Sequence, residues 1–414
     1  MPSQANLAID WRAGYGPIAH RSETIERMQA LVQRLVAQRR IADEASAHAL
    51  LAAADRVACT AMSVVAHMTY ARRIDRSGCP LGSDDFKQTP EGHTGGSLNM
   101  VPAFVGYLLA NALTGTTRGW LMGQGHCVAA IEAVNALTGD VSAAQRGRYD
   151  RSEAGLSRLI ADFYSYAIDK QGRPAVPLGS HAGPNTAGAI SEGGYLGFAG
   201  LQYVHTPLPG ESLVAFLSDG AFEEQRGSDW APRWWRAEDC GFAIPVMILN
   251  GRRIEQRTQI VQEGGATWLA EDLRHNGFDP VIVDGRDPMA IAWAIVEAED
   301  TLSAFAARSD RRYPVKLPYV IAETEKGFGF PGAATNAAHN LPLDGNPRED
   351  AQAREAFNAG AAALFVPETE LENALTILAN HGQSRRSRES EHPMARRHPA
   401  SPQLPMPTWG PTEV

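Results

Sequence analysis

Two polar residues, Asp219 and Asn250, each follow a short apolar run and are well placed to bind a metal ion. The first run is Leu213-Val-Ala-Phe-Leu-Ser and the second is Ile244-Pro-Val-Met-Ile-Leu. Such runs are typical of buried parallel strands, whose carboxyl ends open onto binding sites. Carboxylate and amide oxygens are hard ligands that favour Mg²⁺ or Ca²⁺ over zinc. Because protein-bound Mg²⁺ usually keeps positions for waters and phosphates, the pair predicts a metal-bridged diphosphate.

The rest of the sequence predicts a scaffold in which strands and helices alternate. Apolar residues recur at helical spacing between Ser22 and Tyr70, and another apolar helix is predicted from Leu98 to about Leu113. A strand signal beginning at Gly119 runs into a tight turn. Further strand signals lie at 213–218, 244–249, 280–284 and 318–323, with helical segments such as 289–307 between them. This alternation predicts an α/β fold, a doubly wound parallel sheet flanked by helices with ligands at the strand carboxyl ends.

Composition and charge argue against several classes of partner. The chain has 414 residues, of which 44% are hydrophobic and 21% charged, and its formal net charge is -9. A mildly acidic chain without a basic stripe argues against nucleic acid. No uninterrupted apolar run of roughly eighteen residues is present, so no membrane span is expected, and the amino terminus lacks an export signal. Four scattered cysteines without Cys-x-x-Cys spacing favour a reduced, cytoplasmic setting.

Seven further blocks occur in order along the chain. They are His93-Thr-Gly-Gly, Met122-Gly-Gln-Gly-His126, Glu153-Ala-Gly-Leu, Ser180-His181, Ser191-Glu192-Gly193-Gly194-Tyr-Leu-Gly197, Glu325-Lys326-Gly327 and Ala338-His339-Asn-Leu-Pro-Leu. Together with Ser218-Asp219-Gly220 and Leu249-Asn250-Gly251, they resemble the thiamine diphosphate enzymes of the transketolase superfamily, most closely the N-terminal half of phosphoketolase. The family's diphosphate motif is Gly-Asp-Gly followed by a later Asn. The resemblance runs from about His93 to Leu343.

Carried over position by position, the resemblance implies thiamine diphosphate and Mg²⁺ (or Ca²⁺) as cofactors. It assigns the metal to Asp219, Asn250 and the main-chain carbonyl of Arg252. The residues that it places around the cofactor are Gly125, Glu192, Gly193, Gly194, Ser218, Asp219, Gly220, Asn250 and Lys326. The histidines that it places around the diphosphate and the reacting carbons are His93, His126, His181 and His339. Imidazole suits proton transfer because it titrates near neutral pH, and glycines let the backbone approach a diphosphate closely.

Each of these assignments has a structural alternative. An Asp after a strand is more often a turn or cap residue than a ligand, and Lys326 could be a helix-capping or solvated lysine. The histidines outside the Gly-rich turns are predicted to be structural: His20, His48, His67, His205 and His275. Trp230, Trp234 and Trp235 are predicted to be core or interface residues rather than a stacking platform.

The predicted organisation has four parts. A helical segment covers 1–75, a diphosphate-binding α/β domain 76–348, a helical region 349–382, and a disordered basic, Pro-rich tail 383–414. In the resembling family, the glutamate that activates the cofactor lies on a second, pyrimidine-binding α/β domain, for which we find no corresponding sequence. We therefore expect a split enzyme in which a separate subunit supplies that domain, with α₂β₂ symmetry, and in which this chain is inactive alone.

Departures from the family pattern bear on the reaction. The first Gly of the metal motif is Ser218, a Cys127 follows His126, and the segment after Gly220 is Ala221 to Trp230 rather than the phosphoketolase continuation. The expected reaction is cleavage of a ketose or ketose phosphate beside its carbonyl, with phosphate or an aldehyde as acceptor. Two alternatives remain: a subunit of a 2-oxo acid dehydrogenase E1-type enzyme, and a non-catalytic remnant that binds cofactor.

Overall fold

The computed structural model describes most of the chain. The described residues are 10–116, 118–141, 143–172, 176, 212–224, 231–238, 240–254 and 256–382. His181, Glu192, Gly193 and Gly194, and the tail predicted at 383–414, lie outside them.

Helices and strands alternate through the described chain. The α-helices are α1 (Ser22–Ala37), α2 (Glu44–Tyr70), α3 (Thr94–Thr114), α4 (Val128–Thr138), α5 (Ala143–Arg146), α6 (Glu153–Asp162), α7 (Asp219–Glu224), α8 (Ala231–Trp234), α9 (Gln259–Glu263), α10 (Gly265–His275), α11 (Pro288–Ala306), α12 (Ala351–Ala363) and α13 (Glu368–Gly382). The strands are β1 (Gly119–Met122), β2 (Leu213–Ser218), β3 (Ala243–Leu249), β4 (Arg252–Arg253), β5 (Gln256–Arg257), β6 (Phe278–Asp284) and β7 (Leu317–Glu323).

The central element is a five-stranded sheet with the order β1-β2-β3-β7-β6. All of its neighbouring strands pair in parallel, so their carboxyl ends lie on one edge. All seven residues of β3 are buried, as expected for a strand that is covered on both faces. The predicted doubly wound α/β fold is therefore confirmed.

Two apolar cores cover the two faces of this sheet. The larger core contains α2, α3, α4 and α11, and the smaller one contains α10 with Trp235. Trp235 is 1% exposed, as expected for a core tryptophan. By length and composition alone α2 and α3 could cross a membrane, but their apolar windows are 94% and 89% buried inside this chain. Burial in the core explains their composition, and the absence of a membrane span stays a prediction.

Two helix boundaries differ from the sequence-based expectation. Helix α3 begins at Thr94 rather than Leu98, so His93 takes the N-cap position and Thr94-Gly-Gly forms part of the first turn. The carboxyl-terminal region, predicted as one amphipathic region from 349, forms two helices separated around Pro367. Proline interrupts helices because it lacks an N–H donor and clashes with the preceding turn. Helix α13 packs against α2. The division of the chain into four parts stays a prediction.

Candidate functional site

Asp219 and Asn250 lie side by side because their strands are neighbours in register. Ser218 at the end of β2 pairs with Ile248 near the end of β3. The Asp219 carboxylate accepts hydrogen bonds from the main-chain N–H of Gly220 at 3.0 Å and of Gly251 at 2.7 Å. The side-chain oxygen of Asn250 accepts from the Arg252 N–H at 3.1 Å. The backbone that follows β3 therefore holds the Asp219 carboxylate, which follows β2.

The carboxylate of Asp219 is withdrawn from water, since the residue is 1% exposed. Burial raises its pKa to about 7, although the two N–H donors and the Lys326 ammonium act in the opposite direction. A carboxylate in such surroundings gains strongly from a nearby cation. The site is therefore electrostatically suited to a divalent metal ion.

Lys326 joins this group from a third strand end, three residues after β7. Its ammonium donates to the main-chain carbonyl of Arg252 at 3.0 Å and lies 2.7 Å from Nδ1 of His339. Burial lowers the pKa of Lys326, while the charge of Asp219 raises it. Lys326 is 3% exposed, so the alternative of a solvated lysine does not describe it.

Three of the four predicted histidines meet in one cluster. The ring centroids are 5.2 Å apart for His93 and His126, 5.7 Å for His93 and His339, and 5.8 Å for His126 and His339. Burial lowers the pKa of each imidazole, to about 3 for His126 and about 4 for His339, and the Lys326 charge acts in the same direction. These imidazoles are therefore neutral at physiological pH, and their ring nitrogens can take part in hydrogen bonds without carrying a charge.

Local structure explains how segments distant in sequence reach one cluster. His93 caps α3, His126 lies in a 3₁₀ turn after β1, and His339 lies in another 3₁₀ turn at Ala337–His339. The start of α3 is fastened to this last turn, because Thr94 Oγ1 donates to the carbonyl of Asn340 at 2.7 Å. A Cβ at Gly95 would lie 2.1 Å from the carbonyl oxygen of Ala338, so only glycine permits this approach.

The predicted residues surround a cavity of about 320 Å³. Its lining includes His93, His126, Ser218, Asp219, Gly220, Asn250, Arg252, Lys326 and His339. Gly125 is buried in the adjoining turn beside His126. This lining brings together neutral imidazoles, a fixed cation and oxygen atoms that could bind a metal ion.

Other residues line the same cavity that were not singled out from the sequence. Gln124 is 6% exposed, and among the described residues its Oε1 has no hydrogen-bond partner. In the sequence, the feature that could have identified Gln124 as a site residue is its position between Gly123 and Gly125, next to His126. Cys127 and the exposed Ile254 line the cavity as well. A buried amide oxygen without a partner costs free energy unless a ligand or water pairs with it, so this part of the cavity is suited to a polar ligand.

The donor set fits the implied metal and cofactor. Asp219, Asn250 and the Arg252 main chain offer a carboxylate, an amide and a carbonyl oxygen beside one cavity, as Mg²⁺ and Ca²⁺ prefer. Within the described part of the chain, no three His, Cys, Asp or Glu side chains are grouped so as to hold a metal ion. The cluster of His93, His126 and His339 therefore does not have the geometry of a zinc centre.

Comparison with known proteins gives the family. The XFP N-terminal domain family matches residues 46–386. A probable phosphoketolase of Streptomyces coelicolor is 32% identical over 228 residues, which are 49% of this chain and 27% of that protein. A probable phosphoketolase of Mycolicibacterium paratuberculosis is 28% identical over 335 residues, which are 74% of this chain and 40% of that protein. The chain thus spans well under half the length of these curated relatives.

Solved structures give the same fold. A transketolase variant from Pichia stipitis superposes with a TM-score of 0.50 at 17% identity, covering 80% of this chain and 44% of that one. At this level of identity the likeness concerns the fold alone. The family match is the stronger finding, since it extends over most of the chain. The chain belongs to the XFP N-terminal domain family, within the thiamine diphosphate-dependent transketolase superfamily and nearest to the N-terminal half of phosphoketolase.

Proposed function

We propose that this chain is the diphosphate-binding part of a thiamine diphosphate-dependent enzyme that cleaves a ketose, or ketose phosphate, at the bond next to its carbonyl. The observation that carries the proposal is the convergence of Asp219, Asn250, Lys326 and three neutral histidines on one cavity. This chemistry needs a metal-bound diphosphate at one end and hydrogen-bonding groups for the substrate at the other, and the cavity offers oxygen ligands for the metal and neutral imidazoles for the substrate.

The proposed metal ligands are Asp219, Asn250 and the carbonyl of Arg252. Ser218, Gly220 and Gly125 are proposed to lie along the diphosphate, with Lys326 as a fixed cation that complements its oxygens. Glu192, Gly193 and Gly194 keep their proposed cofactor roles from the family resemblance. When bound, thiamine diphosphate supplies the carbon that adds to the ketose carbonyl.

The proposed histidines handle protons at the substrate hydroxyl groups. Burial keeps His93, His126 and His339 in the neutral form, so His93 and His126 each have a ring nitrogen that can accept a hydrogen bond from a hydroxyl in the cavity. The 2.7 Å contact with the Lys326 ammonium fixes Nδ1 of His339 as the acceptor in that pair. Its Nε2 then carries the remaining proton and can donate a hydrogen bond to the substrate. His181 keeps its proposed catalytic role from the resemblance.

We further propose that the pyrimidine side of the site comes from a separate subunit, in an α₂β₂ assembly. The support is the family resemblance, in which the glutamate that activates the cofactor lies on a second, pyrimidine-binding domain, whereas the family match is to the N-terminal domain. The proposed setting is cytoplasmic, as for a phosphoketolase-like enzyme.

The experiment is co-expression of this chain with a candidate partner that carries a pyrimidine-binding α/β domain. The purified complex is supplied with thiamine diphosphate and Mg²⁺ and assayed on xylulose 5-phosphate, with phosphate or with an aldehyde acceptor. We expect turnover by the complex and none by this chain alone. Turnover of a 2-oxo acid instead of the ketose phosphate would show that the reaction is wrong. Turnover by the single chain would overturn the split arrangement.

A further inference from the structure

A second polar pocket, of about 440 Å³, lies outside the cofactor cavity and carries an excess of positive charge. It is formed by the segment after α2, the residues following Phe86, the end of α6 and the loop before α12. Arg72, Lys87 and Arg348 contribute three cations to its lining, against one carboxylate, that of Glu91. We call it the basic pocket.

Lys87 is built into one wall of the basic pocket. Its ammonium donates to the main-chain carbonyls of Met68 and, at 3.0 Å, of Phe163. An ammonium has three N–H donors, so one remains for a group inside the pocket. Among the described residues the Lys87 ammonium forms no ion pair, and burial lowers its pKa to about 8. A desolvated cation in this state is stabilised by a bound anion.

The two arginines are held so that most of their donors stay available. One Arg348 nitrogen donates to the carbonyl of Phe86 at 3.1 Å, while another lies 3.9 Å from Asp84, whose side chain is 97% exposed. An ion pair at that distance in water is weak. Arg72 is exposed, and its main-chain N–H is fixed by the carbonyl of Asp85 at 2.8 Å.

Among the described residues, the one carboxylate that lines the basic pocket already accepts a hydrogen bond. Glu91 accepts a hydrogen bond from the hydroxyl of Tyr166. The side chains of Gln88 and Thr89 add groups that can donate hydrogen bonds, whereas the Ser165 hydroxyl already donates to the main-chain carbonyl of Asp162. Three cations and several neutral donors around a small open space are the chemistry that recognises a compact dianion.

We propose that the basic pocket binds a phosphate group, either inorganic phosphate or the phosphate of a phosphomonoester. The occupant lies next to the reaction site but apart from the cofactor. Tyr164 separates the two spaces: it lines the basic pocket, and its hydroxyl accepts from the main-chain N–H of His93 at 3.3 Å. A phosphate in the basic pocket is therefore one side chain away from a cavity histidine.

The test is calorimetric titration of the purified chain, without Mg²⁺, using inorganic phosphate, ribose 5-phosphate and unphosphorylated ribose. We expect saturable binding of a phosphorylated probe and none of ribose. Arg72→Gln should weaken it about tenfold, the loss expected for one charge-assisted contact. The matched control is Arg274→Gln, because Arg274 is an equally exposed arginine on α10 that does not line the pocket. It should bind like the unaltered chain.

Two comparisons distinguish inorganic phosphate from a phosphomonoester as the ligand, and the basic pocket from the cofactor cavity as the binding site. Equal loss for both phosphorylated probes in Arg72→Gln identifies the phosphate group itself as the ligand, and binding of ribose 5-phosphate alone identifies a phosphomonoester. Lys87→Gln should lose more affinity for the phosphorylated probe than Arg72→Gln does. Because this change leaves the carbonyls of Met68 and Phe163 without their donor, the melting curve of Lys87→Gln is first compared with that of the unaltered chain. The proposal fails if Arg72→Gln binds like Arg274→Gln, if no phosphorylated probe binds, or if Lys326→Met, in the cofactor cavity, removes the binding instead.

Discussion

Histidine is withdrawn from water in two regions of this molecule, with opposite consequences. In the cofactor cavity, burial and the Lys326 charge lower the imidazole pKa values of His126 and His339. In the second region, the fully buried side chain of His20 lies 3.0 Å from the carboxylate of Asp55 on one side and 3.0 Å from that of Asp287 on the other. These carboxylates outweigh burial and raise the pKa of His20 to about 10.

The difference shows that neighbours, rather than burial itself, decide which form of histidine a site holds. His20 is protonated at neutral pH, and it ties the amino-terminal segment to α2 through Asp55 and to the start of α11 through Asp287, which also caps that helix. The cavity histidines are neutral and line a space that a ligand can enter. The first arrangement serves stability, and the second presents uncharged imidazoles to a ligand.

The largest expected effect is on stability, in His20→Gln. Removing the cation leaves two buried carboxylates without their shared partner, so the free energy of unfolding should fall by about 3–5 kcal/mol. Denaturant unfolding at pH 7 measures it. The matched variant is His126→Gln, which removes a neutral imidazole and should lower stability by less than about 1.5 kcal/mol. Equal losses in the two variants would show that the proposed contrast is wrong.

The second prediction concerns the pH dependence of stability. The folded pKa of His20, about 10, lies above the unfolded value of about 6.5, so its contribution is complete below pH 6.5 and is lost as the pH rises towards 10. The folded pKa of His339, about 4, lies below the unfolded value, so its contribution is present above pH 6.5 and is lost as the pH falls towards 4.

Unfolding curves from pH 4 to 10 check this prediction by difference. Subtracting the His20→Gln curve from that of the unaltered chain should leave a slope on the alkaline side, where His20 loses its proton. It should also leave a slope on the acid side, because Asp55, whose pKa is raised to about 6, loses the charge that lowers it. Subtracting the His339→Gln curve should leave a slope on the acid side, on the order of 2 kcal/mol. An alkaline slope that is missing for His20→Gln, or that appears for His339→Gln, would contradict the assigned charge states.

A smaller effect is expected from the packing of the cavity. A Cβ at Gly96 would lie 2.7 Å from the sulfur of Cys127, so Gly96→Ala should lower the free energy of unfolding by about 1–2 kcal/mol through overpacking. The double variant with Cys127→Ala removes the clashing sulfur. It should be more stable than the sum of the single variants, and strict additivity in thermal unfolding would exclude the contact.

The smallest effect is an electrostatic one within the cavity. Lys326→Met removes a charge that lowers the pKa of His339 and of His93. Both pKa values should rise towards the ordinary value of about 6.5, as followed by NMR titration of the imidazole carbons. The pKa of His20 should stay unchanged because its partners are Asp55 and Asp287. An unchanged titration of His339 would remove Lys326 from the electrostatics of the site.

Much of the fold follows from local pattern. Apolar runs and their polar ends predict β2 and β3 because strands buried on both faces must be apolar throughout. Asp219 and Asn250 could be placed at one edge of the sheet for the same reason, since parallel strands share their carboxyl ends. The His93 and His126 blocks carried a second signal, in that glycines beside a histidine indicate a close backbone approach.

Long-range pairs left no such local signal. The partners of His20 lie 35 residues away, at Asp55, and much further along the chain at Asp287, so the ion pairs could not be predicted from spacing. Likewise, Lys87 meets the carbonyl of Phe163 only through the packing of α6 beside α2. Gln124 could be recognised as a cavity residue only from the structure, in which its buried side-chain oxygen has no hydrogen-bond partner among the described residues.

The metal site is tested most directly by calorimetric binding of thiamine diphosphate to the unaltered chain and to Asp219→Ala, each with and without Mg²⁺. We expect Mg²⁺-dependent binding to the unaltered chain. In Asp219→Ala, that dependence should disappear and affinity should fall at least about tenfold, with the circular dichroism spectrum retained. Unchanged Mg²⁺-dependent affinity in Asp219→Ala would contradict the assignment of Asp219 and Asn250 as the metal-bridged diphosphate site.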